Sequence, residues 1–388
     1  MTASSAERLE IQSLARDFAE GELRPHAAAW DEARALDEGV FAKLAELGFL
    51  GMRVPEAYGG LDFDTATYLG VLEELAWGDA SVALAVAIHS GPVCGTLLRH
   101  GDEVQKEAWL PRLAGGEALG AFALSEPDAG SDAGALSTEA APSGDGWLIS
   151  GTKRWVTNGA RADLVLVFAR AEEGVGAFLV EPRRDGYAVE ASERTLGLRG
   201  SQTVTVTMDQ VGVTAKDLLG EPGQGFRYAL EALDEGRVGI AAQAVGIARA
   251  AMEHATRYAL ERHQFGQALA EFGATQAKLA EMHRRILGAR ALAHGAGAAL
   301  DASVRGARPR SGPEGVTALA AVAKLAASEA ATWIADEAIQ IFGGYGYMRD
   351  YPVEKLLRDA KGTEIYEGTN EIMRHVIARE ILRAARGG

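Results

Sequence analysis

The chain has a single cysteine, Cys94, and no cluster of Cys and His at zinc-ligand spacing, which excludes an internal disulfide framework and a structural zinc site. It also lacks an excess of basic residues. Lys and Arg total 39 against 54 Asp and Glu, for a net charge of -15, and a surface that acidic repels phosphate backbones and anionic lipid. Neither nucleic acid nor a membrane is an expected partner. Asparagine occurs only at Asn158 and Asn370, a depletion that can accompany heat stability but is better read as codon bias. No GxGxxG follows a strand-like run and no GxxxxGK[ST] occurs, so Rossmann and P-loop sites lack support. The Gly-x-Ser-x-Gly elbow of a Ser-His-Asp hydrolase is missing as well. The segment Met1 to Gln12 has no basic region followed by an apolar run, so no secretory signal is expected and a reducing cytoplasm is. The longest uncharged stretch, Ala80 to Leu98, is rich in Ala and broken by His89, Gly91 and Pro92, which predicts a buried core helix rather than a membrane span.

What the chain does have is the composition of a soluble globular protein: 388 residues, 47% hydrophobic and 24% charged. Its apolar period changes twice. Up to about Gly116 it is helical, with Leu36, Val40, Phe41, Leu44 and Leu47 on one face and Gly48 as the expected C-cap. Between about Gly120 and Gly220 the period is two, in Leu164 to Phe168, Ala177 to Val180 and Thr203 to Met208. Long helical segments follow from Phe226 to about Arg262, from Gly273 to about Asp301 and from Glu314 to Phe342. The predicted fold is α+β and multidomain: an all-α domain over residues 1–119, a small β-barrel-like domain over 120–225 and a four-helix bundle over 226–388.

Three stretches carry candidate chemistry. Glu367 precedes a helix whose expected N-cap is Thr369; the helix's positive end favours an ionised carboxylate and apolar surroundings oppose it, a balance that suits a general base near neutral pH. By local sequence alone the commoner reading is a solvated loop residue. Phe122 to Asp132 crowds turn formers and hydroxyls ahead of the first long strand, either as ligand-facing backbone or as a plain linker. Gln340 to Tyr347 ends a long helix in several glycines, more than a Schellman cap needs.

Together these residues resemble the acyl-CoA dehydrogenases. The likeness rests on Leu124-Ser125-Glu126-Pro127 with Gly130-Ser131-Asp132, on Gly151 to Gly159, on Arg262-His263-Gln264-Phe265-Gly266, on Gln340 to Gly346, and on Tyr351-Pro352-Val353-Glu354-Lys355 running to Tyr366-Glu367-Gly368-Thr369. It spans nearly the whole chain, and each segment falls where the period reading puts a boundary.

The resemblance implies FAD, with Ser125, Ser131, Trp155 and Thr157 bordering the isoalloxazine. It implies that Arg262, Phe265, Gln340 and Gly344 reach the diphosphate and adenosine portion of a neighbouring subunit's cofactor, that Thr369 and Glu371 meet cofactor at the start of the last helix, and that the protein is a homotetramer. Trp155 reads alternatively as strand core, and Arg262 as a helix-terminal cation. For an acyl-CoA substrate the resemblance implies contacts from Ser131, Asp234, Arg237, Tyr366 and Gly368; Asp234 and Arg237 read otherwise as a surface i,i+3 pair. No metal is implied.

Glu367 would take the α-proton of the thioester while the β-hydride leaves for the flavin, and the trans-2-enoyl product's electrons would go on to an electron-transfer flavoprotein. Some relatives carry the base on the first bundle helix instead, where this chain has Gly236, with Glu235 next to it. Relatives acting on dicarboxylic acyl groups hold the distal carboxylate with an Arg in the region matching Gly78 to Leu98, which here has no Lys or Arg. The expected substrate is thus a short, branched or medium acyl chain. The alternatives are an acyl-CoA oxidase, usually longer, and a flavin-binding relative serving as a nucleic-acid-associated stress protein, against which the acidic charge argues.

Overall fold

Acidic side chains start the helices that shape the site. Asp64 accepts from the Thr67 N–H at 2.9 Å, Asp79 from Ser81 at 2.8 Å and Val82 at 3.1 Å, and Asp102 closes a capping box with Gln105. In the computed structural model, which describes residues 5–386, these open α4 (Thr65–Gly78), α5 (Ala80–Ile88) and α7 (Glu103–Ala114). The other helices of the first region are α1 (Ser5–Phe18), α2 (Ala27–Ala33), α3 (Glu38–Glu46) and α6 (Thr96–His100). Between α5 and α6 the backbone widens into a π-helical turn, His89–Gly95, around Pro92, a distortion that often accompanies function. The apolar stretch Ala80–His100 is long enough to cross a membrane, but 94% of its most apolar window is buried within the fold. It is a core element, as its interruptions predict.

The middle region forms one curled sheet: β1 (Gly120–Ala123), β2 (Glu139–Ser143), β3 (Gly146–Val156), β4 (Leu164–Ala171), β5 (Gly174–Val180), β6 (Tyr187–Ser192) and β7 (Val204–Thr214). Strand order is β1-β4-β2-β3-β7-β6, with β5 paired to β4. The β3–β7 ladder slips between Lys153 and Val156, and Trp155, at φ +57°, occupies the bulge. A bulge re-aims a side chain, and the indole is 51% exposed rather than packed in the core.

The last region returns to helix: α8 (Gly225–Glu261), the hairpin strands β8 (His263–Gln264) and β9 (Gln267–Ala268), α9 (Gly273–Val304), α10 (Val316–Phe342), α11 (Val353–Thr363) and α12 (Asn370–Ala385). Helix α8 packs against α4, α5, α9, α10 and α11. Close approach is possible because its faces are small: a Cβ at Gly246 would lie 2.7 Å from Ala76 Cβ and 3.0 Å from the Trp77 nitrogen. The N-terminal helices and the bundle therefore share one continuous hydrophobic core, whereas one face of the sheet has its own and the other packs with α6, α7 and the start of α8. Asn158 joins the two, donating to the Ala85 carbonyl at 3.0 Å and the Gly120 carbonyl at 3.1 Å.

Candidate active site

Between α11 and α12 the chain turns through two consecutive left-handed residues, Glu367 (φ +54°) and Gly368 (φ +94°). The conformation is natural for Gly368 and costs a non-glycine residue about 1–2 kcal/mol. Buried cations hold the turn. Arg237 on α8 donates through Nε to the Glu367 carbonyl at 3.2 Å, and Lys324 on α10 donates through Nζ to the Gly368 carbonyl at 2.8 Å. Thr369 caps α12 by accepting from the Ile372 N–H at 3.3 Å, as its sequence position predicts, while Glu371 stands exposed.

The Glu367 carboxylate projects onto Gly236. A Cβ there would sit 2.6 Å from Glu367 Cδ, so only glycine leaves the carboxylate its place. Oε2 is buried and has no hydrogen-bond partner among the described residues. Burial pushes the pKa of Glu367 up to about 7, against the pull of Arg237 and Lys324. An unpartnered acceptor poised near neutrality can take a proton from a ligand.

Its sequence neighbour on α8, Glu235, faces the opposite way, toward the π-helical turn, where a Cβ on Gly95 would lie 3.1 Å from Glu235 Cδ. Arg99 bonds it directly and Arg53 lies 3.6 Å away. Burial alone would raise its pKa, but the two guanidinium groups outweigh it and hold the carboxyl below its usual range. Its Oε2, like that of Glu367, is buried without a hydrogen-bond partner, and what separates the two carboxylates is the guanidinium of Arg99 bonded to Glu235 Oε1.

Asp234 and Arg237 are not a surface pair. Both are buried and bonded at 3.0 Å, and Asp234 also accepts from Arg310 at 3.0 Å and Thr317 at 2.8 Å. Tyr366 donates at 2.7 Å to Gln243, whose amide donates at 2.7 Å to the Ala80 carbonyl. The Tyr68 hydroxyl, on a buried side chain of α4, would lie 3.3 Å from a Cβ on Gly239. Gly236, Gly239 and Gln243 share one face of α8, so these groups line a single path along the helix.

A second group of residues lies at the sheet edge. Glu126, just after Ser125, is buried and accepts from Ser137 N at 2.6 Å, Thr138 N at 2.9 Å and Lys153 Nζ at 2.8 Å. Those bonds overcome burial and hold its pKa down to about 2. The Arg154 N–H donates to the Ser125 carbonyl at 2.9 Å. The loop bearing Ser125 is thus locked to the strand bearing Trp155, with Thr157 just beyond it, and Gly130 abuts the indole, its Cβ position 4.0 Å from the ring. Ser131 is exposed beside it.

The third group stands apart. Arg262 and Gly344, with Tyr258, Gln264, Phe342 and Tyr345, line a groove of about 410 Å³ that includes none of the residues around Glu367. Gln340 is exposed, and Phe265, at φ +52°, is 95% exposed. An aromatic ring so displayed suits contact with another molecule. A half-exposed indole flanked by hydroxyls, and a glycine-floored groove with a guanidinium, fit the two ends of a flavin dinucleotide. Sequence reasoning did not single out Lys324, Gln243 or Tyr68. Lys324 alone left a signal, as the one charge between Val316 and Ser328.

Comparison with known proteins gives a consistent result. Family models described as acyl-CoA dehydrogenase N-terminal, middle and C-terminal domains match residues 5–117, 121–211 and 223–382. A short-chain specific mitochondrial acyl-CoA dehydrogenase of Rattus norvegicus is 42% identical over 381 residues, 97% of this chain and 90% of the relative. The butyryl-CoA dehydrogenase of Megasphaera elsdenii superimposes with a TM-score of 0.93 at 38% identity, covering 98% of this chain and 99% of the other. A glutaryl-CoA dehydrogenase of Mycobacterium smegmatis in complex with FADH2 does so with a TM-score of 0.89 at 31% identity, covering 100% and 96%.

Proposed function

The chain belongs to the acyl-CoA dehydrogenase family, and from that premise we propose that it oxidises a short saturated acyl-CoA to the trans-2-enoyl-CoA with Glu367 as the base. Its family is FAD-dependent. The observation that carries the reading is the buried, unpartnered Glu367 Oε2 seated over Gly236. In the ionised form it takes the proton from C2 of the thioester, and the Glu367 backbone N–H is the proposed donor to the thioester oxygen as charge develops there. FAD, when bound, supplies the two-electron acceptor for the hydride leaving C3. Trp155 with Ser125 and Thr157 would hold its ring, and Arg262 with Gln340, Gly344 and Phe265 would hold the distal portion of a second subunit's cofactor in a homotetramer. Thr369 and Glu371 would meet cofactor at the start of α12, and Ser131, Asp234, Arg237 and Gly368 would contact the substrate.

The surroundings of α8 support a short acyl chain. Gly236 and Gly239 add no side chain to the face beside the base, Tyr68, Leu72 and Ala87 close in on Gly239, and the Tyr366–Gln243 bond crosses the same face at 2.7 Å. Seven residues of α-helix rise about 10 Å, and the Gln243 side chain leans back toward Gly239. The Tyr68 hydroxyl narrows the path midway. These groups favour a short straight or lightly branched chain. A dicarboxylic substrate is disfavoured because Arg99, just beyond the segment that relatives use for the distal carboxylate, is already bonded to Glu235.

Electrons are proposed to pass to an electron-transfer flavoprotein, in the cytoplasm. The test is a panel of acyl-CoA thioesters scored by anaerobic bleaching of the flavin. Butyryl-CoA is expected to bleach fastest. Faster bleaching by octanoyl-CoA or glutaryl-CoA refutes the pocket argument, and rapid reoxidation by oxygen without the partner flavoprotein identifies an oxidase.

A further inference from the structure

Lys324 is fully buried near the middle of α10, in a run of Ala, Leu and Val. It forms no ion pair with any carboxylate among the described residues. Its ammonium instead donates to the Gly368 carbonyl at 2.8 Å and to Asn370 Oδ1 at 3.0 Å, and Ser328, one turn on, donates to the same Asn370 oxygen at 3.0 Å. Burying a cation without a contacting counter-charge is costly, and such a group is retained where its charge is used. The carbonyl it grips belongs to the residue immediately after the base, and Arg237 grips the carbonyl of the base itself. Two cations on two helices thus hold consecutive carbonyls of one left-handed turn.

The geometry points to Lys324 as a positioning residue for the base: it pins the Glu367–Gly368 turn to α10, and its charge favours the ionised form of Glu367. The inference rests on the dehydrogenase reading, with Glu367 as the base. The groups facing Lys324 are Glu367 on the turn, Arg237 on α8, Glu364 after α11 and Glu371 on α12. Those sensing the Glu367 charge also include Tyr68 on α4 and Tyr366 beside it. Burial lowers the pKa of Lys324 to about 7, and Glu367 is the largest influence opposing that. The two charges support each other: the ammonium favours the ionised carboxylate, and the ionised carboxylate strengthens the hold of the ammonium on its own proton.

The deciding measurement is the pH profile of anaerobic flavin reduction in the holoenzyme with butyryl-CoA, for the wild type and for Lys324→Met, Lys324→Gln and Lys324→Arg. Removing an opposite charge near a carboxyl raises its pKa by about one unit or more. Met and Gln are expected to move the rising limb up by about one pH unit and to lose about tenfold in rate below it, while Arg leaves the limb in place. A lysine that only pegs the turn would lower the rate equally at every pH, so Met and Gln profiles that coincide with the wild type after scaling overturn the inference. Should neither variant fold, Lys324→Ala, which matches the alanines around it, serves as the neutral variant: a limb moved up supports electrostatic tuning, and a limb left in place overturns it. If the wild type is bleached by no thioester, it is the dehydrogenase reading that has failed, and the titration of Glu367 followed by carboxyl NMR in wild type and Lys324→Met still decides the role of Lys324.

Discussion

Gly236→Ala separates the chemistry of this site from its fold. The added methyl would sit 2.6 Å from Glu367 Cδ, against ordinary contacts of about 3.5 Å. The carboxylate has to retreat by about 1 Å, and a misplacement of that size costs roughly 10² in rate. What yields is the far end of a side chain, so the fold loses little, and replacing glycine in a helix interior returns up to about 1 kcal/mol. The expected outcome is a folded, yellow protein with an unchanged melting temperature whose flavin bleaches about a hundredfold more slowly under butyryl-CoA in anaerobic stopped flow. Gly246→Ala is the control. Its methyl would meet backbone and Ala76 Cβ at 2.7 Å on α4, so it is expected to cost about 1–3 kcal/mol of stability and to leave reduction intact in the protein that folds. Wild-type bleaching in Gly236→Ala would mean that the Glu367 carboxylate does not act from this position.

The two neighbouring carboxylates give opposite results on amide substitution. Glu367→Gln is expected to fold, keep FAD and lose flavin reduction by at least about 10² to 10⁴, whereas Glu235→Gln keeps the chemistry and loses about 3–5 kcal/mol in thermal unfolding because Arg99 and Arg53 are left without their counter-charge. The reverse pattern would move the base to α8. Since Glu367 must be ionised to act and its pKa is raised to about 7, kcat/KM is expected to fall as pH drops through 7, about tenfold per unit below it; a profile flat from pH 5 to 8 contradicts this. Arg262→Ala, which strips a guanidinium from the groove beside Tyr345, is expected to weaken both FAD retention and assembly, because a cofactor spanning two subunits couples them. Retained flavin and an unchanged mass in dilute sedimentation would refute the shared site.

The change of period and the caps were legible without coordinates because they are local. The long helix expected from Phe226 to Arg262 runs Gly225–Glu261, and Thr369 caps α12 as its position before Asn370 predicts. Trp155 illustrates what was not local: a two-residue period implies an indole in the strand's plane of alternation, and only the slipped β3–β7 register turns it outward. Asp234 and Arg237 look like any helix-surface ion pair until Arg310 and Thr317 arrive from across the bundle. Lys324 was hidden for the same reason, its acceptors lying more than forty residues away in sequence.

Glu235 and Glu367 are both carboxylates buried against α8, and nothing in their local sequence assigns one to structure and the other to proton transfer. Their surroundings do. One turn of α8 carries Glu235 toward Arg99 and Arg53 and presents Gly236 toward the α11–α12 turn, so adjacent positions of a single helix face two different dielectric environments. Contact with the guanidinium of Arg99 favours the charged form of Glu235. At Glu367 the cations are spent on the backbone: Arg237 and Lys324 bond carbonyls, not the carboxylate, so they lower the cost of its charge without occupying its lone pairs. A carboxylate bonded directly to either cation would be ionised more easily and would be a poorer base, because each bond would have to break as the proton arrived. Placing the charges on the backbone keeps Oε2 free, and the missing side chain of Gly236 is what leaves the carboxylate room to stand there.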